Sequence, residues 1–353
     1  MRAWPLMMLL ALVALAGPRA SASTPLSAQA QSQGKDPTAE ELAEAAGAPL
    51  IGKFSPPVTL STLDGRKIDL TKFYGRKPVY LKFWATWCVP CRLQMPHFEN
   101  VERTLGDKIE VVAVNAGFNE TTDAVRRYRE TLGLTMQIVI DDGRLADALH
   151  LRVTPQHIVI GRDGRILHVG HLADTRLDKA LAQAIAEPAA TYSKGAAQRG
   201  TGPARTSAPP LTTLAGDTLS LHDSARPTVV FFFSPWCESY LKISRPEMAE
   251  SCRQARDQVA QAPRAPGVRW VGVAAGLWAT QKDLAAYQRD HPLQMPLALD
   301  ETGAVFRSFG ISDVPAFLVL DRKGRVVARA QRADQANRAA AQARSGRSPA
   351  KEL

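Results

Sequence analysis

Two cysteines three positions apart, Cys88 and Cys91 in the stretch FWATWCVPC, have the clearest capacity for chemistry in this 353-residue chain. The apolar run before them reads as a buried strand that passes directly into a helix, which sets Cys88 at the helix N-terminus. Unpaired backbone N–H groups and the helix dipole favour a thiolate there, and CxxC thiols so placed have a pKa below the roughly 8.5 of free cysteine. Cys91 falls on the same helix face, near enough to bridge. Pro90 is tolerated because a first-turn residue needs no N–H partner. The chemistry this allows is thiol–disulfide exchange, with Cys88 attacking a substrate disulfide and Cys91 resolving the mixed disulfide. A structural disulfide and a metal site are the alternatives. A zinc ribbon would need a second CxxC or a matching histidine pair, and the sequence has neither.

A second stretch, VVFFFSPWCESYLKISRP from Val229 to Pro246, repeats this junction with Cys237 in the place of Cys88 and Tyr240 in the place of Cys91. If Pro246 only kinks a continuous helix, Cys252 lies about 22 Å from Cys237, far beyond the roughly 7 Å between Cα atoms that a disulfide allows. Four readings of Cys237 stay open. It is a monothiol that forms mixed disulfides or is reduced by the first copy; a vestigial position in a binding domain; half of a Cys237–Cys252 bond that requires a chain break near Ser244-Arg245-Pro246; or a metal ligand with His222 or His291, where a soft thiolate would suit copper(I).

The elements that must position these cysteines come in two copies. Val58–Leu70 answers Leu211–Leu221, the run Ile109–Gly117 answers Val268–Gly276, and Pro155 answers Pro315. The turns Asp163-Gly164 and Lys323-Gly324 also correspond. A repeat this long means tandem domains and not a solenoid. Each copy reads as a strand, then strand–helix–strand–helix, then two strands joined by a tight glycine turn, closed by a helix. The resulting division is a secretory signal peptide over 1–22, a linker over 23–48, a first domain over 49–187, a linker over 188–210, a second domain over 211–335 and a basic tail over 336–353. The leader rests on Met1-Arg2, the apolar run Leu6–Ala16 and the small residues Ala20-Ser21-Ala22. Export would place the four cysteines in an oxidising compartment, periplasmic or otherwise outside the cytoplasm, and four are too few for a disulfide scaffold of this length. The net charge of +10 is largely scattered arginine and a basic C-terminal stretch, so it reads as solvated surface and not as a nucleic-acid site.

WCVPC after an apolar strand, with Val153-Thr154-Pro155 downstream, resembles the thioredoxin superfamily, and FWATWCxPC preceded by a DG-containing hairpin is similar to its exported TlpA/ResA-like branch. The resemblance implies an α/β fold of two tandem thioredoxin-like domains, each a mixed sheet flanked by helices. It implies a cis-proline at Pro155 beside the dithiol, with Trp87 and Thr154 contacting an extended substrate, and Trp236, Val314 and Pro315 in the corresponding places of the second copy. The implied activity is reduction of protein disulfides with electrons from a membrane donor and no cofactor or metal, and thiol exchange between the domains is compatible with it. The rival class is a metal-handling, copper-binding or scaffold protein. One departure matters. Relatives hold a buried acid six residues before the nucleophile, and here that position is Lys82. Buried behind the dithiol, its charge would lower a thiol pKa; otherwise its stem packs and its ammonium reaches water.

Overall fold

The computed structural model describes residues 36–188, 210–261 and 264–345. The leader, the linker residues 23–35 and 189–209, and the last residues from 346 on lie outside them. From Pro37 onward the described chain belongs to one compact unit, built from two lobes.

The first lobe opens with α1 (Ala39–Gly47), inside the stretch read from sequence as linker. The residues that start it form a capping box: Glu41 N–H donates to the Thr38 hydroxyl, and Thr38 N–H donates back to the Glu41 carboxylate. Gly47 closes the helix against the sheet, where a Cβ would meet Val169 at 2.4 Å. A short hairpin of β1 (Thr59–Ser61) and β2 (Lys67–Asp69) follows. The main elements are then β3 (Val79–Trp84), α2 (Val89–Leu93), α3 (Met95–Leu105), β4 (Glu110–Asn115), α4 (Thr122–Leu132), β5 (Gln137–Ile140), α5 (Arg144–Ala148), β6 (Gln156–Ile160), β7 (Ile166–Gly170) and α6 (Thr175–Ala186). The sheet order is β5-β4-β3-β6-β7, with β3, β4 and β5 parallel and β6 and β7 antiparallel. The edge strand β5 has no counterpart in the element order expected from sequence, because a run of four residues carries too little periodicity to separate it from its turn.

The second lobe repeats this with a hairpin of β8 (Leu211–Thr212) and β9 (Thr218–Leu219), then β10 (Thr228–Phe233), α7 (Cys237–Ser244), α8 (Pro246–Gln261), β11 (Arg269–Ala275), α9 (Gln281–Asp290), β12 (Leu297–Asp300), α10 (Ala304–Ser308), β13 (Ala316–Leu320), β14 (Val326–Ala330) and α11 (Ala333–Arg344). Its sheet order, β12-β11-β10-β13-β14, matches the first. The closing helix α11 begins before residue 336, where the basic tail was expected, and packs through Ala333, Ala336, Ala339 and Ala340, all buried. Small side chains let that helix lie close to the sheet; it does not need the large apolar stripe of α6.

Both central strands are buried along their full length. Strand alternation sends Tyr80, Lys82 and Trp84 to the α2–α3 face of β3, and Val79, Leu81 and Phe83 to the opposite face. On β10 the same alternation separates Val229, Phe231 and Phe233 from Val230 and Phe232.

Candidate active site

Cys88 is the N-cap of α2, and it is disulfide-bonded to Cys91 with their Cα atoms 5.2 Å apart. The Cys91 backbone N–H donates to Cys88 Sγ over 3.2 Å, the contact that would stabilise a thiolate once the bond is reduced. Cys88 Sγ also lies 3.4 Å from the carbonyl oxygen of Thr154. The Thr154–Pro155 peptide is cis, as is Val314–Pro315.

Lys82 sits beneath this pair, wholly buried, with Nζ 3.4 Å from the Cys91 carbonyl oxygen and 5.3 Å from the Phe98 ring centroid. Its ammonium does not reach water, and burial lowers its pKa to about 7. It is therefore a poor source of fixed positive charge and a ready proton acceptor near neutrality. Beside it Tyr80 Oη lies 2.7 Å from His157 Nδ1, and His157 Nε2 lies 2.7 Å from Gln94 Oε1. Burial raises the tyrosine pKa and lowers that of the histidine, to which the nearby Lys82 charge adds. The phenol thus donates to a neutral imidazole, whose other N–H donates to Gln94 at the break between α2 and α3.

The second cysteine pair is not a monothiol site. Cys237 is bonded to Cys252, with Cα atoms 6.2 Å apart. The chain break that this pairing requires is at Arg245, whose φ of −146° and ψ of 68° end α7 and let α8 fold back along it. Neither sulfur is then free for His222 or His291, and among the described residues no group of three His, Cys, Asp or Glu side chains could hold a metal ion.

The two lobes meet through these same faces, an arrangement the sequence does not announce. Trp87 and Trp236, each just before its cysteine, lie with ring centroids 5.0 Å apart, and each indole N–H donates within its own lobe, to Phe118 O and Leu277 O. Tyr240, in the place of the second cysteine, accepts the Val89 N–H through its hydroxyl at 3.0 Å. The loops after β4 and β11 cross reciprocally. Asn119 N–H donates to Ser312 O and Asn119 Oδ1 accepts from Val314 N–H, while Trp278 N–H donates to Arg152 O and Trp278 Nε1–H donates to the Thr154 hydroxyl. Both loop residues have positive φ, 52° at Asn119 and 61° at Trp278. Asparagine tolerates that region, whereas for tryptophan it costs on the order of 1–3 kcal/mol, offset here by two hydrogen bonds across the interface.

Arg245 clasps the first lobe, bonding Asn119 O at 2.6 Å and the Thr86 hydroxyl, and lying 3.5 Å from the Glu120 carboxylate. Burial raises the pKa of Glu120 against the opposing pull of its bonds to Thr86 and of Arg245. Asp147 pairs with Arg307, its counterpart in the second copy, at 2.9 Å. Equivalent positions meeting each other mark an isologous contact of the kind seen in two-fold dimers, here within one chain. Its consequence is closure: Cys88 is fully buried and Trp87 only 1% exposed. Thus Cys88, Cys91, Lys82, Trp87, Thr154 and Pro155 are gathered in the first lobe, while Trp236, Cys237 and Val314 lie on the face docked against it and not at an open groove. Tyr240, Trp278, Asn119 and Arg245 were missed. Tyr240 carried a signal, as an aromatic side chain standing where a thiol repeats.

The AhpC/TSA family matches residues 51–169, and the Redoxin family matches residues 198–344. The thioredoxin-like protein YneN of Bacillus subtilis is 35% identical over 37% of this chain and 78% of its own length. The thiol-disulfide oxidoreductase ResA of Halalkalibacterium halodurans is 36% identical over 34% of this chain and 69% of its own. A solved thiol:disulfide interchange protein of the thioredoxin family from Chlorobium tepidum is 24% identical and covers 38% of this chain and 97% of that one, with a TM-score of 0.35. With a matching strand order in each lobe and a CxxC pair at the first strand–helix junction, the chain belongs to the thioredoxin-like thiol–disulfide oxidoreductases, with two thioredoxin-like domains in tandem.

Proposed function

We propose that the protein reduces protein disulfides outside the cytoplasm through the Cys88/Cys91 dithiol, drawing electrons from a membrane-bound donor. The observation that carries this reading is the setting of the pair: Cys88 caps a helix and receives the Cys91 N–H, with the buried Lys82 amine at the Cys91 carbonyl. The Cys88 thiolate attacks one sulfur of a substrate disulfide, and the other leaves as a thiolate. The free base of Lys82 takes the Cys91 proton, and Cys91 attacks Cys88 Sγ to release the reduced substrate. Trp87, Thr154 and Pro155 contact the substrate once the docked face is free. The extracytoplasmic site of action rests on the leader-like residues 1–22 and on the oxidising surroundings in which disulfides persist. Insulin reduction by dithiothreitol tests the activity. Wild type should accelerate it and Cys88→Ser should not; equal rates would refute it.

A further inference from the structure

We propose that the Cys237–Cys252 disulfide is a second redox centre, and that the docked second lobe presents it to the Cys88/Cys91 dithiol as an internal substrate. This rests on the reductase reading above and adds the identity of one substrate.

Three observations carry it. First, Cys237, Leu241, Ala249 and Cys252 pack into the first lobe's buried cluster with Cys88 and Cys91, whereas the rest of the second lobe's interior forms its own clusters. Second, the two disulfides hold like places against like loops. Cys88 Sγ is 3.4 Å from the carbonyl oxygen before Pro155, and Cys252 Sγ is 4.0 Å from the carbonyl oxygen before Pro315. Those loops are the ones engaged across the interface, by Trp278 at Thr154 and by Asn119 at Val314. Third, closure leaves Cys88 without exposure, so what stands before it in this arrangement is the second lobe, with Trp236 on Trp87 and Tyr240 on Val89.

The exchange balances as follows. With the first pair reduced by a dithiol donor, the Cys88 thiolate attacks Cys237 Sγ, the Cys237–Cys252 bond breaks, and Cys252 leaves as a thiolate that takes up a proton. Cys91, deprotonated, then attacks Cys88 Sγ, and Cys237 leaves as a thiolate and is protonated. Two electrons and two protons have moved from the first pair to the second. The Cys88–Cys91 bond has formed and the Cys237–Cys252 bond has been broken.

The test follows both pairs in the full chain. Oxidised wild type and Cys88→Ser are exposed to limiting dithiothreitol, quenched with an alkylating agent at intervals, and mapped by mass spectrometry. Cys237 and Cys252 are 0% and 7% exposed, no more closed than Cys88 and Cys91 in the docked arrangement, so the Cys88→Ser chain serves as the measure of direct attack by dithiothreitol on the second pair. Cys237 should be alkylated at least tenfold faster in wild type than in Cys88→Ser. In addition, Cys91→Ser should accumulate a peptide linking Cys88 to Cys237. Equal Cys237 labelling in wild type and Cys88→Ser, with no linked peptide in Cys91→Ser, overturns the proposal. Insulin reduction on the same samples separates the two readings: if Cys88→Ser slows insulin reduction but not Cys237 labelling, the internal exchange fails and the reductase reading stands.

Discussion

The two lobes share a fold and a cysteine at the same strand–helix junction, yet they complete their disulfides in different ways. In the first, α2 spans five residues and the partner is Cys91, three positions on. In the second, α7 runs eight residues, the chain turns at Arg245, and the partner is 15 positions on, in α8. The partner sulfur is thus chosen by the path of the helix after the junction and not by the motif alone. The interiors beneath the cysteines differ as well. Lys82 and His157 are cross-strand partners on β3 and β6; their counterparts Phe231 and Phe317 are partners on β10 and β13, with ring centroids 5.0 Å apart. The first lobe keeps a proton acceptor under its dithiol, and the second has filled that space with stacked rings.

Lys82→Met gives the first lobe an apolar interior like the second and has the largest expected effect. A lysine held near 7 in the folded chain, against 10.5 unfolded, costs the fold on the order of 5 kcal/mol below about pH 7. Between those values the unfolded chain binds more protons, so this cost shrinks and wild-type stability climbs as the pH rises from 7 toward 10.5. Lys82→Met should raise the denaturant midpoint at pH 7 and flatten the climb between pH 7 and 9, while slowing insulin reduction. A wild-type climb that survives the substitution would show that Lys82 is not the group responsible.

Next in size is the second disulfide. Closing a span of 15 residues is worth about 3 kcal/mol in the chain-entropy description, and a span of 3 about half that. Urea unfolding should therefore find Cys252→Ala more destabilised than Cys91→Ala; the reverse order would mean that native-state contacts and not loop length decide.

Tyr240→Phe removes the bond to Val89 N–H, worth about 1 kcal/mol, and should raise the alkylation rate of reduced Cys88 about fivefold. Smallest is Arg307→Ala. Its pair with Asp147 is partly exposed, so the change in stability should stay within about 1 kcal/mol. A larger loss in thermal unfolding would mark that pair as more than a peripheral contact.

The duplication, the CxxC junction and the glycine turns were legible in the sequence because each shows in the order of neighbouring residues. The capping residues Thr38 and Glu41 were equally local, but the surrounding small and charged residues resemble a linker, and only packing on β7 reveals the helix. The interface was not legible. Asn119, Trp278 and Arg245 act on partners more than a hundred positions away, and nothing in their immediate neighbours encodes that pairing. The Cys237–Cys252 bond depended on the dihedral angles at Arg245; Pro246 disfavours helical geometry at the residue before it and so marks the break, but it does not encode the direction in which α8 turns back.

The most direct test of the docked arrangement is the alkylation rate of Cys88 in the reduced full chain, read by mass spectrometry for wild type and for a Tyr240→Ala/Trp278→Ala variant. Closure by the second lobe predicts slow labelling in wild type and at least a tenfold rise in the variant. Equal and rapid labelling in both would contradict it.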